Sequence, residues 1–491
     1  MLAWRACGRR LTAPGIGRPE HGRFSRALRH APRYTLPPAR PRMAPSGMLR
    51  PSSPLLAAML MGCTRGSPPE PGPPDIAIVL IDTLRADRLG AWGWPRESSA
   101  PLDRRIEGGV RFARAWAPSS WTRPSVGSLF TGRLPPTLGI TDELSHGLPD
   151  ELPTLAEALK AHGYATCGAT ANPNLNAQFG FDRGFTEYTD STVVFPWMEQ
   201  SEAQTDHSAE RLPAGPAVYD AVLRCAAGHA DQPVMLFVDV MEVHEYARGP
   251  DNDLTRPDLR GHHGAPFGEY DDAVQTAAEQ ADDFLRRLSD TPGWDDGVTV
   301  LLSDHGEGLD SHPSTPGSGD HGSLLYRSTL HVPLAMWGKA MEKPRTVLTD
   351  VGLIDVPPTL LALAGAPALG PMDGMSLVPH LGGTRTVGRE YGAWTRFRGV
   401  DRDAVLFDDW LYLTDSVGGA IELQPRMGEQ DGERTDQRGR RSKAAAEGAE
   451  RWVALQHAHP WRAAAVGSDT LEPATRTQLE QLGYVDPGTA H

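Results

Sequence analysis

Cysteine is nearly absent from this chain, with four in 491 residues. Cys7 and Cys63 fall in a leader segment, which leaves only Cys167 and Cys225 for the body. Two cysteines exclude a disulfide framework. They are compatible with one disulfide or with two buried thiols, and neither sits in a nucleophile-like setting. Positive charge is also scarce beyond the leader. Residues 1–62 hold eleven Arg, no Lys and one acid, Glu20, or about +10, so the chain's net −14 leaves about −24 for the remainder. Nucleic-acid binding needs a basic footprint, and this acidic body excludes it as a partner. An anionic ligand would depend on local cations such as a metal, histidines or Arg123. Internal repeats are missing too. What remains is ordinary for a globular chain, 39% hydrophobic and 22% charged, and is large enough for one big domain with an accessory.

The N-terminus reads as an export signal. Arg50 precedes Leu55-Leu-Ala-Ala-Met-Leu-Met61 and then Gly62-Cys63. The run is too short to span a bilayer, and Leu60-x-Gly62-Cys63 has the form of a bacterial lipoprotein cleavage site, with a lipid expected on Cys63. A start at Met43 or Met48 would give a signal of normal length. The expected location is the cell envelope outside the cytoplasm, attached to the membrane through that lipid. The Arg-rich, acid-poor leader also fits an organellar transit peptide. Residues 63–74 form a Pro-rich tether.

Two apolar runs end in acids. Asp75-Ile-Ala-Ile-Val-Leu-Ile-Asp82 and Gly297-Val-Thr-Val-Leu-Leu-Ser-Asp304-His305 read as buried strands with metal-ligating side chains at their carboxyl ends. In open α/β sheets ligands bind at that end. A third element is Trp121-Thr122-Arg-Pro124-Ser125, which leads into a helical pattern. A hydroxyl there suits either a helix cap or a nucleophile presented to an anion at a helix N-terminus. Asp82, Thr122, Asp304 and His305 together supply three oxygens and one nitrogen, a ligand set for one divalent metal.

These segments resemble the sulfatase family of the alkaline-phosphatase-like superfamily. The resemblance runs through Ile81-Asp-Thr-Leu-Arg-Ala-Asp87, Thr122-x-Pro-Ser125 with Leu129-Phe-Thr-Gly132, and Phe179-Gly-Phe-Asp-Arg-Gly-Phe185. It continues in Ser303-Asp-His-Gly-Glu307, Asp320-His-Gly322 with Leu325-Tyr326, Val332-Pro333 and Leu353-Ile-Asp-Val-Pro-Pro-Thr-Leu-Leu361, with a weaker echo in Leu482-Gly-Tyr-Val485. It implies an ester hydrolase in which Thr122 attacks and is transiently esterified, while Asp82, Thr122, Asp304 and His305 hold the metal. By the same resemblance His244 and His321 contact the oxyanion or protonate the leaving oxygen. Asn172 and Arg123 line the substrate site.

The chain also departs from the family. Thr122 stands where sulfatases carry the Cys or Ser oxidised to formylglycine, and Val126 stands where they carry Arg. One Asp of the usual pair is replaced by Thr83, the Lys-x-His segment is missing around Ala169–Asn174, and Ser323 and Arg327 replace a basic and an acidic residue. Formylglycine expels sulfate by elimination through its second hydroxyl, a route closed to threonine. A threonyl ester must be cleaved at the central atom, which suits phosphorus with metal help. His305 favours Mn²⁺ or Zn²⁺ over Ca²⁺. The chemistry points to phosphodiesters or phosphonates, the family name to sulfate esters. Transfer of a phospho-group to a glycan or lipid and inactive anion binding are the alternatives.

The strand and helix signals predict a three-layer α/β/α sandwich. Its large sheet is mostly parallel, and a small antiparallel sheet follows near the C-terminus. Helices are expected at Thr154–His162 and Gly268–Leu288, and strands at Tyr164–Gly168 and Val234–Val240. The catalytic domain is expected over 75–388 and the small-sheet subdomain over 389–491. Charge, Gly and Gln suggest a mobile loop over about 427–448.

Overall fold

Unbroken apolar runs account for the centre of the molecule, because a strand covered by helices on both faces has no polar side to present. In the computed structural model β1 (Ile76–Ile81) is buried at every residue. Its alternate side chains serve two separate cores. Ile76, Ile78 and Leu80 pack into one, and Ala77, Val79 and Ile81 into the other. The structure describes residues 72–141, 147–194, 215–246, 268–292, 294, 297–309, 311–312, 321–338, 341, 343–384, 387–427, 435–462, 471–481 and 484–485. Cys63, the leader, most of the tether and Asp320 lie outside them.

The remaining strands are β2 (Val110–Phe112), β3 (Ala115–Trp116), β4 (Ala165–Thr170), β5 (Glu187–Thr189), β6 (Val234–Val240), β7 (Val298–Leu302), β8 (His331–Val332), β9 (Leu334–Gly338), β10 (Arg345–Val347) and β11 (Val351–Gly352). After these come β12 (Tyr391–Phe397), β13 (Val400–Phe407), β14 (Trp410–Asp415) and β15 (Ala420–Pro425). Eight strands form the main sheet in the order β10-β2-β9-β7-β1-β6-β4-β5. All its pairings are parallel except those of β9 with β2 and β7. This is the expected mostly parallel mixed sheet. Its key property is that β1 lies between β7 and β6, with Leu80 opposite Leu302 and Ile81 opposite Val240. The carboxyl ends of the two acid-tipped strands are therefore neighbours.

The covering helices follow the sequence pattern. Thr154 caps Leu155–Ala161, accepting from the Glu157 N–H at 3.1 Å while Glu157 Oε2 accepts from the Thr154 N–H at 2.7 Å. Gly268–Ser289 buries Tyr270, Val274, Ala277, Ala278, Ala281, Phe284, Leu285 and Leu288, one helical stripe against the sheet. No helix among the described residues is long and apolar enough to cross a membrane.

Strands β12 to β15 make the small antiparallel sheet. It is tied to the segment leading into Thr122. The Trp394 N–H donates to Pro118 O at 2.9 Å, and the Trp121 and Phe397 rings lie 5.5 Å apart. Of the loop expected over 427–448, residues 428–434 lie outside the described residues, and from Ser442 the chain is instead the helix Ser442–Ala458. Ala444, Ala445, Ala449 and Trp452 close over Val405, Phe407, Tyr412 and Leu423 of the sheet. Packing of that apolar stripe overrides the polar composition around it. Gly322 adopts φ +88°, and a Cβ there would meet Phe397 at 2.6 Å, so this loop against the small sheet requires glycine.

Cys167 on β4 and Cys225 on the covering helix Gly215–Gly228 are joined in a disulfide, which settles the choice left by the sequence. The pair is 58 residues apart in sequence, so the bond closes a long loop. Replacing both cysteines by serine is expected to lower the free energy of unfolding by about 2–4 kcal/mol in urea titration. Equal stability of the double variant and the parent would contradict this.

Candidate active site

The chain leaves β1 through a sharp turn. Thr83 takes φ +56°, a left-handed conformation that a β-branched residue rarely adopts. Three contacts hold it there. Its hydroxyl donates to Asp82 O at 2.7 Å, its N–H points at Asp304 Oδ1 at 3.4 Å, and Tyr270 donates to its carbonyl at 2.7 Å. Tyr270 also accepts from the Arg85 N–H at 2.9 Å. Arg85 is buried and stitches the two strand exits together, donating to Glu307 O at 3.0 Å and pairing with Asp87 at 2.7 Å. Burial would raise the Asp87 carboxyl, but Arg85 overrides that and holds it well below the usual range.

Thr122 opens the helix Thr122–Thr131. Trp121 occupies the cap position, and no side-chain cap bond is made. The threonine is therefore no ordinary cap. Its Oγ1 lies 3.5 Å from Asp82 Oδ2, 3.4 Å from His305 Nε2 and 3.3 Å from Asn172 Nδ2. Asn172 is oriented from behind, since its Oδ1 accepts from the Asn174 N–H at 2.9 Å. That leaves its amide to donate to Asp82 Oδ2 at 2.6 Å. Asp82, Thr122, Asn172, Asp304 and His305 are all fully buried.

The donor set fits a cation. Asp82 Oδ1 and Asp304 Oδ2 are buried without a hydrogen-bond partner. His305 Nε2 lies 3.8 Å from the first and 3.3 Å from the second. The three ligating atoms fall within 4.8 Å of one another. His305 Nδ1 lies 2.9 Å from the Gly306 carbonyl, which can only accept, so Nδ1 carries the hydrogen and Nε2 presents its lone pair. Without a cation the set is electrostatically costly. Desolvation and then the Asp304 charge drive Asp82 far above the carboxylate range, and desolvation pushes Asp304 up to about 6. Burial forces His305 far below its ordinary value. A divalent cation supplies the charge that these buried groups lack. The other metal-like cluster among the described residues, Glu187, Cys225 and His229, is disabled because Cys225 is in the disulfide.

Three imidazoles line up from this centre. The His305 and His321 rings are 4.8 Å apart, and those of His321 and His244 are 5.0 Å apart. Each outer histidine has a carboxylate behind it. Glu307 Oε2 lies 3.0 Å from His321 Nδ1, and Glu245 Oε1 lies 2.7 Å from His244 Nδ1. The structure thus gathers Asp82, Thr122, Asn172, His244, Asp304, His305 and His321. Arg123 behaves differently from the expectation that it attracts the anion. Its guanidinium is buried against Asn174, at 3.0 Å from Oδ1, and over the Phe179 ring at 3.7 Å. Those contacts make it a support of the Asn172 loop. Glu307 and Glu245 were missed as supports, although Glu245 adjoins His244 and Glu307 stands two residues after His305. Tyr484 was missed too, with its hydroxyl 2.6 Å from His244 Nε2. Its only sequence signal was the echo in Leu482-Gly-Tyr-Val485.

With this geometry in hand, the sulfatase family profile matches residues 74–366. Human arylsulfatase A is 28% identical over 361 residues, covering 64% of this chain and 68% of that protein. The Delta 4,5-hexuronate-2-O-sulfatase of Bacteroides thetaiotaomicron is 24% identical over 359 residues, covering 64% of this chain and 72% of that protein. Among solved structures, a 2-O GAG sulfatase superposes with TM-score 0.64 at 18% identity, covering 82% of this chain and 96% of the other. The phosphonate monoester hydrolase of Agrobacterium radiobacter superposes with TM-score 0.61 at 17% identity, covering 79% and 96%. These structural likenesses establish a shared fold, and the family is metal-dependent, in keeping with the buried Asp82, Asp304 and His305. The chain belongs to the sulfatase family and is an ester hydrolase.

Proposed function

We propose that the protein hydrolyses phosphodiesters or phosphonate esters through a covalent ester on Thr122, with one divalent cation at Asp82, Asp304, His305 and the Thr122 oxygen. The observation that carries this reading is the position of the Thr122 hydroxyl. It sits at the start of a helix, 3.5 Å from Asp82 Oδ2 and 3.4 Å from His305 Nε2, with no capping role. When bound, a cation at this position lowers the pKa of a coordinated hydroxyl and offsets charge on the ester's oxygens. An imidazole among the ligands favours Mn²⁺ or Zn²⁺ over Ca²⁺.

The chain's own groups have separable tasks. Asn172 Nδ2 orients both Thr122 Oγ1 and Asp82, and can turn its donor toward a substrate oxygen. The N-terminus of the Thr122–Thr131 helix faces the anion with its positive end. His321, held at Nδ1 by Glu307, uses Nε2 to protonate the leaving oxygen. The threonyl ester is released by water attacking at phosphorus, because Thr122 has no second hydroxyl for elimination. That difference separates phosphorus from sulfur substrates in this site.

Aryl sulfate, phosphate monoester, phosphate diester and phosphonate should be compared as substrates of one preparation. Diester or phosphonate turnover is expected to exceed sulfate turnover, and Thr122→Ala is expected to lose at least about 10³-fold in kcat. Sulfate as the best substrate would overturn the phosphorus assignment.

Metal binding carries a pH signature. In the cation-free protein Asp82 is held far above its ordinary range and Asp239, raised chiefly by burial, reaches about 8. Both therefore keep protons that the unfolded chain has released, so stability is lost as pH rises toward 8. His305, depressed below its usual 6.5, works in the opposite sense only at lower pH, where the unfolded chain is protonated. The gain in Tm on adding Mn²⁺ is accordingly expected to grow between pH 6.5 and 8, measured by thermal denaturation against a chelator control. A gain that shrinks over this interval would contradict the assignment.

A further inference from the structure

The disulfide lies within a second convergence of ligating side chains. Strands β4 and β5 run parallel with Cys167 opposite Glu187, so both side chains leave the sheet on one face. The helix Gly215–Gly228 covers that face and delivers Cys225 to Cys167. His229 follows one turn later. Its N–H still donates to Ala226 O at 3.1 Å, and the four-residue spacing brings it beside Cys225. His229 Nε2 lies 3.4 Å from Glu187 Oε1, and its Nδ1 lies 3.1 Å from the Gln232 side-chain amide. The Cys225 sulfur, a His229 nitrogen and a Glu187 oxygen fall within 4.8 Å of one another. Cys167 adds a second sulfur, bonded to the first.

Two sulfurs, an imidazole and a carboxylate are the donor types of a four-coordinate zinc site. Bonds of about 2.0–2.3 Å place the ligands of such an ion roughly 3–4 Å apart, so opening the S–S bond leaves this set a small adjustment away. A disulfide alone needs neither an imidazole nor a carboxylate at its sulfurs. Cys167 and Cys225 are buried, whereas the His229 and Glu187 side chains keep 25% and 58% exposure, which gives an ion a way in from solvent. The Gln232 amide, turned over, accepts from Nδ1–H and leaves Nε2 bare for a metal. Soft thiolates set these ligands apart from the oxygen-rich Asp82 centre and select Zn²⁺ over Mn²⁺ or Ca²⁺.

We propose that Cys167, Cys225, His229 and Glu187 form a redox-controlled zinc site, shut by the disulfide and able to take Zn²⁺ once the cysteines are reduced. A dithiol reductant supplies two electrons and two protons. The S–S bond breaks into two thiols, and the dithiol leaves as its own cyclic disulfide. Zn²⁺ then binds both sulfurs as thiolates and displaces their two protons, with His229 Nε2 and a Glu187 oxygen completing the shell. In reverse, a small-molecule disulfide takes the two electrons and two protons to become two thiols, the Cys167–Cys225 bond re-forms, and Zn²⁺ is released. This inference does not rest on the reading of Thr122.

The test uses the full chain carrying Cys7→Ser and Cys63→Ser, so that Cys167 and Cys225 are the remaining cysteines. Co²⁺ is the probe, because sulfur-to-cobalt charge transfer absorbs in the near ultraviolet and an oxygen-and-imidazole centre has no such band. After reduction and anaerobic removal of the dithiol, the chain is expected to show that band and to bind about one more Co²⁺ than the oxidised chain. Zn²⁺ is expected to displace the band. His229→Ala is expected to weaken this Co²⁺ binding by at least about 10²-fold, more than loss of an outer-shell partner would. Added Zn²⁺ is also expected to raise the Tm of the reduced chain more than that of the oxidised chain, which places the ion in folded protein. A reduced chain without the sulfur band, parent-strength binding in His229→Ala, or equal Tm gains in the two redox states would each overturn the site.

Discussion

Two buried carboxylate oxygens without hydrogen-bond partners, Asp82 Oδ1 and Asp304 Oδ2, face the imidazole nitrogen Nε2 of a fully buried His305. Everything else at the centre follows from that constraint. Like charges at such distance in a low-dielectric interior cannot both be ionised unless a cation joins them. The surrounding polar groups do not relieve the pair. They aim it, through Asn172 on Asp82, the Thr83 and His305 amides on Asp304, and the Gly306 carbonyl on His305. Thr122 is placed by a separate element, a helix start, so the proposed nucleophile is delivered by a helix and the charge centre by strand ends.

The sheet makes this meeting possible. Strands β1 and β7 are adjacent and parallel, so both release their acids at one edge, and Arg85 and Tyr270 bind the two exits into one rigid unit. The strain of Thr83 at φ +56°, of order 1–3 kcal/mol, is offset by those contacts. A second layer of support comes from regions distant in sequence. The small sheet presses on the Trp121 and Gly322 segments, and the C-terminal helix braces the Asn172 loop.

What could be read from the sequence was local. Asp82 and Asp304-His305 were legible because an apolar run ending in an acid has one structural meaning, and a parallel sheet puts such ends together. The Thr154 cap and the Gly268–Ser289 helix were legible through short-range spacing. The pairing of Arg123 with Asn174 and Phe179 is not legible in the sequence because it depends on tertiary placement, and adjacency to Thr122 says nothing about direction along a helix. The helix Ser442–Ala458 was hidden because packing beneath Trp452, rather than composition, orders it. Tyr484 lies furthest from local legibility. Its contact with His244 joins residues 240 positions apart in the chain.

The central claim is that Thr122 becomes covalently esterified during turnover. Acid quenching during steady-state hydrolysis of the preferred substrate, followed by proteolysis and mass spectrometry, tests it most directly. The account predicts the transferred group on the peptide containing Thr122, at Thr122 itself, and its disappearance when substrate is exhausted. Turnover under conditions that trap no adduct on Thr122, or a transient adduct on another residue, would contradict it.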